Sequence, residues 1–130
     1  LENYQVQRAY VRTDNWAISA KAASEKNAEK WSVVKVTEIS AGGLLFHTDT
    51  PYNIGDHLWF QLHINPMIPR IFEFEMLVRG EIKNRREHQN NIQNYGVQFT
   101  MISDGDRMKL DELIMRTVSI YRLEGGQGIE

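Results

Sequence analysis

Two clusters of residues carry enough polar chemistry at short spacing to build a site. The first is Arg8-Ala9-Tyr10-Val11-Arg12, two guanidinium groups with three residues between them. Each guanidinium is a planar fork of donors, so the pair can grip one compact anion, or a guanine through its O6/N7 edge, when the segment is turned or helical. The second is Glu38-Ile39-Ser40-Ala41-Gly42-Gly43, in which a carboxylate and a hydroxyl two residues apart share one strand face just before a glycine turn. A carboxylate there can accept from a guanine N1–H and N2–H2, and Ser40 can donate or accept beside it. Gly43 has two readings: a turn that needs positive φ, or a place where backbone comes close to a ligand and any Cβ would crowd the approach.

Other chemistries do not find their residues. Ser40 lacks the Gly-x-Ser-x-Gly elbow of a hydrolase, and Ala41-Gly42-Gly43 lacks the following helix that a phosphate-binding loop or dinucleotide fingerprint requires. His57 and His63 fall on one strand face but about 20 Å apart, too far to share a metal. His47 and His88 have no acidic residue at a metal-motif spacing and read as surface positions, while Glu73 and Glu75 read as a solvated outer face rather than an acid/base pair. Zero cysteines remove disulfides, thiol nucleophiles and cysteine zinc sites, and fit a reducing compartment. No catalytic residue, metal ligand or cofactor is therefore assigned, and the chain reads as a protein that is not an enzyme. The basic run Lys83-Asn84-Arg85-Arg86 is a secondary candidate for phosphate contact, with a solvated hairpin loop as its default reading.

The composition bounds what these clusters can serve. At 130 residues, 42% hydrophobic and 25% charged, the chain has the make-up of one compact domain. With 15 basic and 17 acidic side chains there is no global field to attract a nucleic acid polymer or anionic lipid, so an anion site must be local. No apolar run approaches the roughly 18 to 20 residues needed for membrane insertion by a helix. The chain begins Leu1-Glu2-Asn3, which allows a preceding domain or a removed leader.

The elements that must position the clusters are short and alternating. Leu58, Phe60, Leu62 and Ile64 share one face of a half-buried strand, and the same period recurs in Trp31–Ser40, in Phe72, Phe74, Met76 and Val78, and in Val97, Phe99 and Met101. Trp16–Ala22 and Leu44–Thr48 complete six strands, separated by turn-forming segments that include Pro51–Asp56, Asn65–Pro69 and the polar stretch Asn84–Asn94. Within that stretch Glu87 to Asn94 reads as a mobile loop. After Met101 the period changes: Leu110, Leu113, Ile114, Thr117, Val118 and Tyr121 make one helical stripe, started by Ser103-Asp104-Gly105-Asp106 and stopped by Gly125-Gly126. The expected fold is mainly β, a six-stranded antiparallel barrel followed by a C-terminal helix. One domain is expected overall, with an arm over 1–12, a barrel over 13–102 and a helix over 103–124. Trp59 falls on the outward face of its strand and is a candidate for covering the arm, the helix or a partner, whereas Trp16 and Trp31 read as packing residues.

Arg-x-x-x-Arg followed after 26 positions by Glu-x-Ser-x-x-Gly, on a barrel with a C-terminal helix, resembles the PilZ domain family, the bacterial receptor module for cyclic di-GMP. The resemblance runs from about Gln7 to about Tyr121 and is supported by Ile54-Gly55-Asp56 and Tyr95-Gly96-Val97-Gln98-Phe99. It implies a binding module without chemistry. Arg8 and Arg12 would wrap over the nucleotide and grip phosphates and guanine edges, and Glu38, Ser40 and Gly43 would hold a guanine. Glu38 stands where the family usually has Asp or Asn, which displaces the carboxylate by about 1.5 Å. The resemblance further implies a cytoplasmic receptor whose arm orders on binding and relays the event to an effector protein or adjacent domain, with self-association left open and motility or biofilm regulation as the output. The alternative is a ligand-free PilZ-like adaptor that binds only protein. An oligonucleotide-binding barrel is disfavoured by Glu73, Glu75 and Glu81 on the outer faces and by the small number of aromatics there.

Overall fold

Alternation becomes burial along each strand. The computed structural model describes residues 10–13, 16–68, 70–87, 90 and 92–123. Its strands are β1 (Tyr10–Arg12), β2 (Ala17–Ser24), β3 (Ser32–Ser40), β4 (Gly43–Thr48), β5 (His57–Asn65), β6 (Phe74–Glu87) and β7 (Gln93–Met101), followed by helix α1 (Asp104–Leu123). The sheet order is β1-β3-β2-β5-β6-β7-β4, every pairing is antiparallel, and β4 also pairs with β3. Strands β2 to β7 therefore close into a six-stranded barrel, which removes the open sheet edges a flat sheet would expose. The three residues of β1 lie along β3 beyond the stretch that β2 covers: β2 pairs with Ser32–Val34, β1 with Glu38–Ser40.

Leu58, Phe60, Leu62 and Ile64 of β5 are each at most 2% exposed, as their shared face requires. Val34 and Val36 are buried while Val33 stands 77% exposed, the same period read on β3. At the centre, Phe46 meets Phe60 edge-on at 5.3 Å and Tyr95 at 5.5 Å, and Tyr95 meets Tyr52 at 5.7 Å. Such rings carry a large share of core stability, roughly 1.5–3 kcal/mol for each fully buried side chain. The Tyr95 hydroxyl also accepts from the Tyr52 amide at 2.8 Å and donates to the Tyr52 carbonyl at 3.2 Å, satisfying a buried loop backbone that has no strand partner. Helix α1 begins at a Ser103 cap whose Oγ accepts from the Asp106 amide, with Asp104 and Asp106 favourably placed in its first turn. Leu110, Leu113, Ile114 and Thr117 are its buried stripe, whereas the side chains of Val118 and Tyr121, and the Gly125-Gly126 stop, lie outside the described residues.

The structure departs from the sequence reading at three places. Phe72 is 85% exposed rather than inward, because the β5–β6 ladder ends at the Ile64–Phe74 pair and alternation has no meaning beyond it. Met101 is 56% exposed because a bulge between Arg79 and Gly80 on one strand and Met101 and Phe99 on the other makes Thr100 an extra residue and reverses the phase. Lys83-Asn84-Arg85-Arg86 is not a loop: β6 continues through Glu87, paired with β7 from Gln93 onward. Of the expected mobile loop, residues 88, 89 and 91 lie outside the described residues.

Candidate functional site

Chain distance is erased by register at the candidate site. Arg12 on β1 is the direct antiparallel partner of Glu38 on β3, and Glu38 in turn pairs with Leu45 on β4. Side chains directly opposite on an antiparallel pair share a face, so the cation of the first motif and the carboxylate of the second stand side by side. The base of the arm is pinned just after Arg12. Thr13 is buried, its hydroxyl donating to the Val36 carbonyl at 2.7 Å and its amide to the Thr37 carbonyl at 3.1 Å. Those carbonyls belong to a bulge between Val36 and Glu38, where a regular ladder would have supplied their partners. Arg8 lies outside the described residues.

Ser40 holds the turn that follows. Its Oγ accepts from the Gly42 amide at 3.2 Å and lies 3.4 Å from the Gly43 carbonyl, to which it donates. A hydroxyl has two lone pairs, so one acceptor site remains for a ligand. The Gly42 carbonyl accepts from the Phe99 amide at 2.8 Å, tying the turn to β7. The φ of Gly43 is not positive, and the close approach it permits is to the protein's own β7, where a Cβ would sit 2.0 Å from the Val97 carbonyl oxygen.

The register extends this motif into a surface that sequence reasoning did not assemble. Gly43 pairs with Gln98, Leu45 with Gly96, and Gly96 with Asn84 across a second bulge that makes Lys83 the extra residue of β6. A Cβ on Gly96 would lie 2.6 Å from the Asn84 Oδ1, so the glycine makes room for that amide. The result is a cleft of about 430 Å³ floored by Gly43, Leu45 and Gly96 and walled by Glu38, Ser40 and the Lys83–Asn84 pair. Next to it a groove of about 540 Å³ shares Glu38 and Leu45 and adds Arg12, Lys35, His47 and Arg86. Lys35 pairs with His47, His47 with Asn94, and Asn94 with Arg86, one row of the outer face. Positive charge is thus concentrated locally on a chain whose net charge is −2. No sequence signal places Lys83 and Asn84 here, because the bulge at Lys83 breaks period two just past the inward Ile82 and the residues that follow are polar on both faces.

Away from the cleft, the histidine and carboxylates read as unconnected surface groups meet. His63 on β5 pairs directly with Glu75 on β6, its Nδ1 lying 3.2 Å from Glu75 Oε2 and its Nε2 hydrogen-bonding Glu73. Those two bonds, Glu73 first, hold the His63 pKa above the ordinary imidazole value. Among the described residues no group of three or more His, Cys, Asp or Glu is arranged to hold a metal, and no helix is long and apolar enough to cross a membrane.

Among solved structures, the fold is similar to the Bacillus subtilis inhibitor of motility (MotI/DgrA), with TM-score 0.70 and 17% identity over 89% of this chain and 53% of that one. The PilZ domain with c-di-GMP of YcgR from Escherichia coli aligns with TM-score 0.60 and 12% identity over 93% and 97% of the two chains. The K. pneumonia MrkH–c-di-GMP complex aligns with TM-score 0.65 and 12% identity, over 91% of this chain and 54% of that one. The chain spans about half the length of the MotI/DgrA and MrkH chains. No curated protein sequence matches it. The PilZ domain family matches residues 7–116, which takes in the arginine arm, the glycine turn, all seven strands and most of α1. By that match, on a closed barrel with one C-terminal helix, the chain belongs to the PilZ domain family.

Proposed function

We propose that the chain is a receptor module for cyclic di-GMP, binding the nucleotide over the Gly43–Leu45–Gly96 shelf. The observation that carries this reading is the pairing of Arg12 with Glu38 at the rim of that shelf. The ligand has two phosphates and two guanines, and each demands different chemistry. Arg8 and Arg12 supply charged, forked donors for phosphate oxygens or a guanine O6/N7 edge. Glu38 accepts from a guanine N1–H and N2–H2, and Ser40 offers its remaining lone pair beside it. Gly43 lets β4 lie close against β7 and Gly96 makes room for Asn84, and Leu45 between them offers an apolar face for a planar base. Asn84, Lys83 and Arg86 add an amide and two cations within the same cleft and groove. Their combined space, about 430 and 540 Å³, is in the range of small-molecule sites.

The module carries out no reaction in this reading; its output is mechanical. Helix α1 packs against β1 and β3, so tightening of the arm on a ligand acts directly on the helix. The receiver is an effector protein or an adjacent domain in a bacterial cytoplasm. Isothermal titration of cyclic di-GMP tests the reading, with an Arg8→Ala/Arg12→Ala variant alongside and linear pGpG as competitor. Saturable binding abolished in the variant is expected. No heat and no thermal shift at a few hundred micromolar ligand, from folded protein, would sink it and leave a ligand-free adaptor.

A further inference from the structure

A second surface lies at the other end of β6. There the β5–β6 hairpin and α1 enclose a groove of about 370 Å³ whose apolar lining includes Ile71, Phe72, Phe74 and Leu113. Phe72, 85% exposed, is the most exposed large hydrophobic side chain among the described residues. It follows Arg70, which holds a left-handed φ of 70°, and a turn closed by the Ile71 amide on the Ile68 carbonyl at 3.1 Å. A non-glycine residue in that region is uncommon. From Phe74 to Asn84 is about 30 Å along an extended strand, so this groove is separate from the nucleotide cleft.

The charges on its walls are unevenly committed. Glu112 pairs with Arg116 at 2.8 Å, and Glu73 hydrogen-bonds His63. Arg70 and Lys109 make no ion pair among the described residues. The groove therefore presents an apolar floor between two uncommitted cations. A second copy of the chain fits poorly, because across a two-fold contact Arg70 and Lys109 would meet only Glu73 and Glu112, carboxylates already engaged by His63 and Arg116. A nucleic acid backbone offers repeated phosphates but nothing for Phe72 to bury against except splayed bases.

The geometry points to a docking site for a segment of a partner polypeptide that carries one aromatic or aliphatic anchor flanked by Asp or Glu. The anchor lies on the exposed Phe72 with the half-buried Ile71 and Phe74 beside it, and the carboxylates meet Arg70 and Lys109. The site does not depend on the nucleotide reading. Its test is selection of phage-displayed random dodecapeptides on the whole chain, with affinities of the enriched peptides measured by fluorescence polarisation. Phe72→Ala and Arg70→Glu/Lys109→Glu are the variants, and both change exposed side chains, so melting should match the wild type. Enriched peptides with an apolar anchor within three or four residues of an acid, weakened at least tenfold by each variant and by raised salt, are expected. No enrichment, enrichment without acids, or binding indifferent to both variants would overturn the assignment. So would a dimer seen by sedimentation that Phe72→Ala dissolves, which would give the groove to self-association.

Discussion

Gly43→Ala isolates the physical reason for the glycine in the second motif. A Cβ placed there lies 2.0 Å from the Val97 carbonyl oxygen, whereas real contacts are essentially never under 3.0 Å. Because the obstacle is backbone, no rotamer change relieves it, and β4 must part from β7 by about 1 Å. The neighbouring Phe99 amide to Gly42 carbonyl bond, now 2.8 Å, would stretch to about 3.8 Å and be lost. Overpacking of this kind costs about 1–3 kcal/mol and the lost bond about 1 kcal/mol more, giving about 2–4 kcal/mol in all. Gly105→Ala is the control. Nothing lies within 4 Å of its Cβ and it sits in the first turn of α1, so the same chemical change should stabilise by about 0.4–1 kcal/mol. Urea unfolding of both variants measures the difference. A Gly43→Ala unfolding free energy within about 0.5 kcal/mol of the wild type would refute the close-approach explanation of the motif.

Other outcomes follow from the same structure. Tyr95→Phe removes the hydroxyl that serves both backbone groups of Tyr52 and should cost about 1–3 kcal/mol in thermal or urea unfolding; Tyr52→Phe leaves both bonds in place and should cost less. Thr13→Val keeps the volume but strips the donor from the Val36 carbonyl, and should weaken cyclic di-GMP binding by loosening Arg12 even where the fold persists, as read by titration calorimetry. Glu38→Ala should lower cyclic di-GMP affinity roughly 5- to 150-fold, the equivalent of about 1–3 kcal/mol, and unchanged affinity would remove Glu38 from the site. His63, raised by Glu73 and then Glu75, contributes stability that is fully present below the unfolded imidazole pKa of about 6.5 and is lost as pH rises through the higher folded value. Its NMR titration midpoint should therefore fall in Glu73→Gln, and a midpoint indifferent to that change would disprove the pairing.

What was legible in the sequence is what local periodicity can encode. Leu58, Phe60, Leu62 and Ile64 announce a buried face because adjacent strand positions point to opposite sides, and Leu110, Leu113, Ile114 and Thr117 announce a helix for the corresponding reason at period 3.6. The cap at Ser103 and the residue types of Arg12, Glu38, Ser40 and Gly43 were likewise readable, since hydrogen-bonding capacity belongs to the side chain. Lys83 to Arg86 was misread because a strand whose outer residues are all polar carries no hydrophobic signal. The tertiary structure alone decided register. It set Arg12 against Glu38, Gly96 under Asn84 and His63 between two carboxylates, and it inserted the bulges that turned Met101 outward and opened β3 for Thr13. Register is a choice among pairings of distant segments, fixed by barrel closure and by which faces can be buried together, and no window along the chain contains both partners of the choice.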